Sequence, residues 1–161
     1  MRKLITISLL SLIACAQTKK ERVPSFTLKT LDGEIFNIVD HVGEKVIIIN
    51  FWATWCPPCR AEIPGFVKLF EKYRDKGLLI VGISLDRGSN AESIVRNFIK
   101  EYKVNYPAMM GNEEVVKKFG GITAIPTTFI LDKKGEIVRK IIGYRDEIYF
   151  ENIIKELLTR G

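Results

Sequence analysis

Cys56 and Cys59, two prolines apart in the run NFWATWCPPCRAEIP over residues 50–64, are the side chains in this sequence best suited to covalent chemistry. An apolar stretch, Val46 through Trp52 with Asn50 its one polar residue, leads into them and an amphipathic pattern leads out. The spacing therefore predicts a buried strand handing over to a helix at the cysteines. Sulfurs three positions apart on a first helical turn can close a disulfide. The unpaired amides of that turn and the positive helix end, about half an elementary charge, would stabilise a thiolate on Cys56. Cys56, starting the helix, should be the exposed thiol and Cys59, one turn in, the shielded one. The chemistry this suits is making and breaking disulfides.

Two other uses of the pair fit less well. Zinc needs four ligands, and beyond the pair the chain supplies only Cys15 near its start and a single histidine, His41, so no metal site is expected. A static disulfide would close too short a loop to restrain the unfolded chain much. A surface-anchored binding module with an inert disulfide nevertheless stays open as a non-enzymatic alternative.

The elements that must position the pair are legible in the same patterns. With 161 residues, 47% of them hydrophobic, the chain can bury one ordinary core. Strand-period alternation around Phe26 and Leu28, then around Phe36, with Asp32 and Gly33 between, predicts an N-terminal hairpin. A central strand follows over 45–51. The helix after the cysteines carries Ile63, Phe66, Leu69, Phe70 and Tyr73 on one face, should kink at Pro64 and should stop at Gly77. Next come a buried strand over 78–83, a helix capped by Ser89 or Asn90 and running to Tyr102, a short extended piece over 106–110, and a short helix over 113–119. Strands over 129–131 and 136–142 should pair antiparallel, and a last helix shows Phe150, Ile153, Ile154, Leu157 and Leu158 on one face.

At the start, Arg2 and Lys3 precede an apolar core over residues 4–13 that ends at Ala14 and Cys15, the form of an export signal. Leu12, Ile13, Ala14 and Cys15 resemble the lipobox of bacterial lipoproteins, which implies that Cys15 becomes a lipid-bearing first residue. The expected organisation is a signal over 1–14, a tether over 15–22 and one domain over 23–161. Exported in this way, the CxxC pair would work where disulfides persist. The formal charge of +6 is spread over lysines mixed with glutamates, without a basic block interleaved with aromatics, so no nucleic-acid partner is expected.

The residues FWATWCPPC over 51–59, the downstream Ile125, Pro126 and Thr127, and the order of strands resemble a thioredoxin fold. More narrowly, Glu62, Ile63 and Pro64 after the cysteines, with an extra helix and strand between Ser89 and Met110, resemble the membrane-anchored, extracytoplasmic TlpA and ResA type of thiol-disulfide oxidoreductase. The resemblance runs from about Val23 to the C-terminus. It implies an α/β, thioredoxin-like fold: a central mixed β-sheet flanked by helices, with an N-terminal β-hairpin and a central helix-strand insertion. It also implies a nucleophile at Cys56, a resolving thiol at Cys59, a cis bond before Pro126, and substrate contacts from Trp55, Pro57, Pro58, Ile125, Pro126 and Thr127. Thioredoxin has a buried aspartate six residues before its first cysteine, where this chain has Asn50, which cannot titrate. Glu62, three residues after Cys59 and on the same helical face, is the candidate proton acceptor in its place.

The activity so implied is reduction of protein disulfides, with no cofactor beyond the redox-active disulfide of Cys56 and Cys59. Electrons would come from a membrane thiol-disulfide transporter, apocytochromes c would be among the clients, and a lipid anchor would hold the domain outside a bacterial cytoplasmic membrane. A peroxiredoxin-like thiol peroxidase is the enzymatic alternative. Ile49 and Ala53 stand where those enzymes commonly place a proline and a threonine, which disfavours it.

Overall fold

A computed structural model describes residues 20–160. The expected signal and the lipid-bearing Cys15 lie outside the described residues. Strands β1 (Thr27–Lys29) and β2 (Ile35–Asn37) form the N-terminal antiparallel hairpin. The main sheet is built from β3 (Val46–Trp52), β4 (Leu78–Ser84), β5 (Ala108–Met110), β6 (Thr127–Leu131) and β7 (Ile137–Ile142), in the order β5-β4-β3-β6-β7. Helices α1 (Pro57–Tyr73), α2 (Ala91–Glu101), α3 (Glu113–Lys118) and α4 (Glu147–Thr159) connect and cover it. This is the expected thioredoxin-like architecture, including the inserted α2 and β5.

All seven residues of β3 are buried because both faces of the sheet are covered. Val46 and Ile48 pack with Phe66, Leu69 and Tyr73 of α1 and with Phe150 and Ile154 of α4. Ile47, Ile49 and Phe51 point the other way, into a core with Phe26, Leu28 and Phe36 of the hairpin and Phe119 after α3. The alternation is the two-residue strand period at work. Side chains of this size contribute roughly 1.5–3 kcal/mol each when fully buried.

Topology brings the chemistry to one edge. β4 runs parallel to β3, so the C-terminal ends of both strands lie together, with Trp52 opposite Ser84. β6 runs antiparallel to β3, so its beginning lies at that same edge, with Phe51 opposite Thr127. The turn into α1, the residues after Ser84 and the Ile125–Pro126 peptide therefore converge.

Three details differ from the sequence reading. The domain begins before Val23: the Glu21 carbonyl accepts from the Ile137 amide at 2.8 Å and Arg22 bridges Glu136, which draws the end of the expected tether onto β7. Neither Ser89 nor Asn90 caps α2 with its side chain. Asn90 precedes the helix at φ −103° and ψ 3°, outside the extended geometry from which a side chain reaches the first amides, and instead its carbonyl receives the Ile94 amide and the Ser93 hydroxyl. The first long helix ends at Tyr73, followed by a 3-10 turn over Arg74–Lys76 before Gly77 breaks the chain away at φ +99°. Pro64 sits inside α1, which remains helical through it.

Candidate active site

Cys56 is the N-cap residue of α1, and its backbone is extended, at φ −95° and ψ 104°. A helix starts with four amides lacking intrahelical partners, but Pro57 and Pro58 have no N–H to offer. The first available amide is that of Cys59, and it donates to the Cys56 sulfur at 3.3 Å. The next, from Arg60, is taken by the Cys56 carbonyl at 3.1 Å. The two prolines thus reduce the helix's pull on Cys56 to one directed hydrogen bond plus the dipole.

Cys56 and Cys59 are joined by a disulfide, with their Cα atoms 5.3 Å apart. The Ile125 carbonyl oxygen lies 3.7 Å from the Cys56 sulfur, and the Ile125–Pro126 bond is cis. In the reduced protein a Cys56 thiol would donate to that oxygen, whereas a thiolate would meet its lone pairs. The Cys59 amide and the Ile125 carbonyl therefore oppose each other over the acidity of one sulfur.

The expected contrast in exposure does not hold in this disulfide form. Cys56 is 3% exposed and Cys59 1%, both within the cluster of Trp52, Ala53, Ile63 and, at its margin, Ile125. The Cys56 side chain folds under the turn that precedes it, so the two sulfurs differ in the groups they face more than in their contact with solvent.

Among the other residues expected at the site, Trp55 is 67% exposed and Pro57 and Pro58 form an exposed start to α1. Ile125 is half-buried. Pro126 and Thr127 are buried, and the Thr127 hydroxyl donates to the Ala124 carbonyl at 2.7 Å. Thr127 thus serves the loop's own geometry, and what it leaves for a visiting chain is backbone. Among the described residues, no group of three histidine, cysteine or acidic side chains is gathered as a metal would require.

Behind the pair, on the same buried face of α1 as Cys59 and Ile63, lies Glu62, 3% exposed. Its Oε2 accepts from Asn50 Nδ2 at 3.1 Å and its Oε1 from the Arg145 amide at 3.1 Å. Asn50 also donates to the Thr128 hydroxyl at 2.9 Å. Burial pushes the Glu62 carboxyl from 4.5 up to about 7, against the two hydrogen bonds and the Arg145 charge that pull it down. A groove of about 410 Å³ between α1 and the segment entering α4 has Glu62 in its lining, with Pro64, Tyr144, Arg145 and Ile148.

Ahead of the pair is a constellation that motif reading did not single out. Asp86, two residues past the end of β4 and 5% exposed, accepts from the Thr54 amide at 2.9 Å, from the Thr54 hydroxyl at 2.5 Å and from the Ser84 hydroxyl at 2.8 Å. The signal available in the sequence was its place: an acidic residue just outside the carboxyl end of a parallel strand, where α/β sheets keep their sites. On the outer side, Arg60 Nε donates to the Tyr102 hydroxyl at 3.0 Å, and the Tyr102 ring stacks on Phe98 at 4.0 Å. That contact ties the first turn of α1 to the inserted helix.

Comparison with known proteins agrees with this geometry. Residues 20–140 match the AhpC/TSA family. A thiol-disulfide oxidoreductase ResA of Bacillus thuringiensis subsp. konkukian (strain 97-27) is 32% identical over 146 residues, covering 87% of this chain and 82% of that protein. The sporulation thiol-disulfide oxidoreductase A of Bacillus subtilis (strain 168) is 35% identical over 146 residues, covering 86% of this chain and 87% of that one. The crystal structure of a thiol:disulfide interchange protein, a thioredoxin family protein from Chlorobium tepidum TLS, superposes with a TM-score of 0.82 at 36% identity, covering 89% of this chain and 99% of that one. With its CxxC disulfide at the strand-to-helix junction of a thioredoxin-like fold, the chain belongs to the AhpC/TSA family and, within it, to the thiol-disulfide oxidoreductases of ResA type.

Proposed function

We propose that the chain reduces protein disulfides outside the cytoplasmic membrane, with Cys56 attacking and Cys59 resolving. The Cys56 thiolate attacks one sulfur of a client disulfide. The client S–S bond breaks, a mixed disulfide to Cys56 forms, and the other client sulfur leaves as a thiolate that takes up a proton. Glu62 accepts the proton of Cys59. The Cys59 thiolate then attacks the Cys56 sulfur, the mixed disulfide breaks, and the client sulfur leaves as a thiolate that takes up a proton. The client so departs carrying two electrons, and the pair that lost them is left as the Cys56–Cys59 disulfide. A dithiol donor in the membrane returns those two electrons. Trp55, Pro57, Pro58 and the backbone around Ile125 and Pro126 are the surfaces a client strand would meet.

The observation that carries this reading is Glu62, a carboxyl near 7 on the same helical face as the resolving cysteine, in a chain whose Asn50 cannot take a proton. A base works best when its pKa lies near the ambient pH. The sequence around Cys15 supports lipid anchoring, and among the described residues no helix is long and apolar enough to cross a membrane. Apocytochromes c as clients follow from the resemblance to the ResA type. Peroxide reduction finds less support, since Ile49 and Ala53 are fully buried apolar residues at the positions peroxiredoxins give to proline and threonine.

The test is capture. Cys59→Ser in the native host should accumulate mixed disulfides on Cys56, with apocytochromes c among the attached proteins and a membrane dithiol protein joined to the same sulfur. Absence of any attached protein, together with no catalysis of insulin reduction by dithiothreitol, would leave the static disulfide as the better account.

A further inference from the structure

The segment that delivers Cys56 leaves β3 at Trp52 and must turn sharply. Ala53 is fully buried, Trp55 projects into solvent, and Cys56 folds back under cover. Thr54 is the residue at which this reversal happens, and it is fastened twice to one carboxylate, through its amide at 2.9 Å and its hydroxyl at 2.5 Å. Both the backbone direction and the side-chain rotamer of Thr54 are therefore set by Asp86. Asp86 is itself held: the Ser84 hydroxyl donates to its Oδ2 at 2.8 Å, and its own amide donates back to the Ser84 oxygen at 3.1 Å. The Trp52 carbonyl accepts from the Leu85 amide at 2.7 Å, which binds the exits of β3 and β4 together just before the turn.

What this fixes is the location of a sulfur. Cys56 Sγ lies between the Cys59 amide at 3.3 Å and the Ile125 carbonyl at 3.7 Å, one favouring negative charge on it and the other opposing it. The amide belongs to α1 and the carbonyl to the loop before β6, so a small movement of the turn changes the two distances unequally. A clamp upstream of Cys56 therefore acts on its acidity and its approach to a client without touching it.

We propose that Asp86 is a positioning residue for the Cys56 nucleophile, holding the turn through Thr54 so that the sulfur keeps its place between the Cys59 amide and the Ile125 carbonyl. The inference rests on the reading of Cys56 as the attacking thiol.

The experiment uses the reduced protein and two readouts: the pH profile of iodoacetamide labelling, mapped by peptide to Cys56 or Cys59, and kcat/KM for insulin reduction. Asp86→Ala is expected to lower kcat/KM on the order of tenfold and to move the midpoint of the Cys56 profile. Asp86→Asn is expected to restore most of both, because its carbonyl oxygen can still accept from the Thr54 amide and the Ser84 hydroxyl while its NH2 donates to the Thr54 hydroxyl. Should Asp86→Ala fail to fold, Thr54→Val removes the hydroxyl bond alone, and a smaller change in the same direction is expected. A folded Asp86→Ala or Thr54→Val with wild-type kcat/KM and an unmoved Cys56 profile overturns the proposal, whatever its melting temperature. Labelling of Cys59 before Cys56 in the wild type would instead overturn the nucleophile assignment, and the positioning role with it.

Discussion

Two buried carboxylates flank the cysteine pair, and they are held differently. Glu62 and Asp86 are 3% and 5% exposed, so burial alone does not separate them. Glu62 receives two donors, one of them an asparagine amide shared with Thr128, and burial outweighs both to leave its carboxyl near 7. Asp86 receives three donors from Thr54 and Ser84, all within two residues of the strand ends they secure. Glu62 also borders a groove beside Arg145 along which a proton can reach water. The roles proposed for them, proton carrier and fastener, rest on that difference: how many fixed donors meet the acid and whether it borders open space.

The comparison presupposes that both acids serve the same reactive pair, and the largest effect tests that. Cys56→Ser should bring insulin reduction to background, and residual catalysis would remove the common target of the two carboxylates. Next in size, Glu62→Gln should slow resolution of the mixed disulfide about 10²-fold and flatten its dependence on pH, as read by stopped flow. Asp86→Asn should leave the shape of that resolution profile in place. If both variants flatten it, or neither does, the division of labour between carrier and fastener is gone.

Stability gives a third measure. The Glu62 carboxyl is raised from 4.5 to about 7 in the folded state, so the native protein holds that proton more tightly than the unfolded chain does. The associated stability is fully present below about pH 4.5 and is lost as pH rises through about 7, a difference of about 3 kcal/mol. Urea titrations between those limits should show wild type losing stability by about that much relative to Glu62→Gln. Parallel curves for the two proteins would mean that Glu62 is not the buried acid described here. The smallest effect is expected from Tyr102→Phe, which removes the exposed hydrogen bond to Arg60 but keeps the stack on Phe98. It should shift the melting temperature slightly and leave the resolution profile unchanged, placing Arg60 outside the proton path.

The elements that carry the site were legible because each announces itself locally. The run Val46 to Trp52 has no polar interruption before Asn50, the CxxC pair follows at once, and the apolar spacing of α1 continues through Pro64. Glu62 could be named because it lies three residues from Cys59 on one helix face. Asp86 could not be, since its partner Thr54 is 32 positions away and only the parallel pairing of β3 with β4 brings them together. Thr127 was named among the substrate contacts, but the bond of its hydroxyl to the Ala124 carbonyl depends on how the loop folds and could not be read from its position in the chain. The poor prediction of Cys56 exposure has another origin: sequence places a residue at a helix start, but the cover over it comes from the preceding turn and from Ile125, far along the chain.

The reversal at Thr54 also separates the chain's two tryptophans in optical terms. Trp52, 2% exposed and 5.0 Å from the Phe98 ring, is shielded from any dissolved quencher, while Trp55, 67% exposed, is open to one. Iodide should therefore extinguish the red-shifted part of the emission and spare the blue. Because Trp52 shares a buried cluster with both cysteines and Trp55 adjoins Cys56 in the chain, opening the disulfide should change the yield of both indoles, and iodide separates the two contributions. The molecule thus contains two redox reporters three residues apart, one open to solvent and one enclosed with the sulfurs, without any added label.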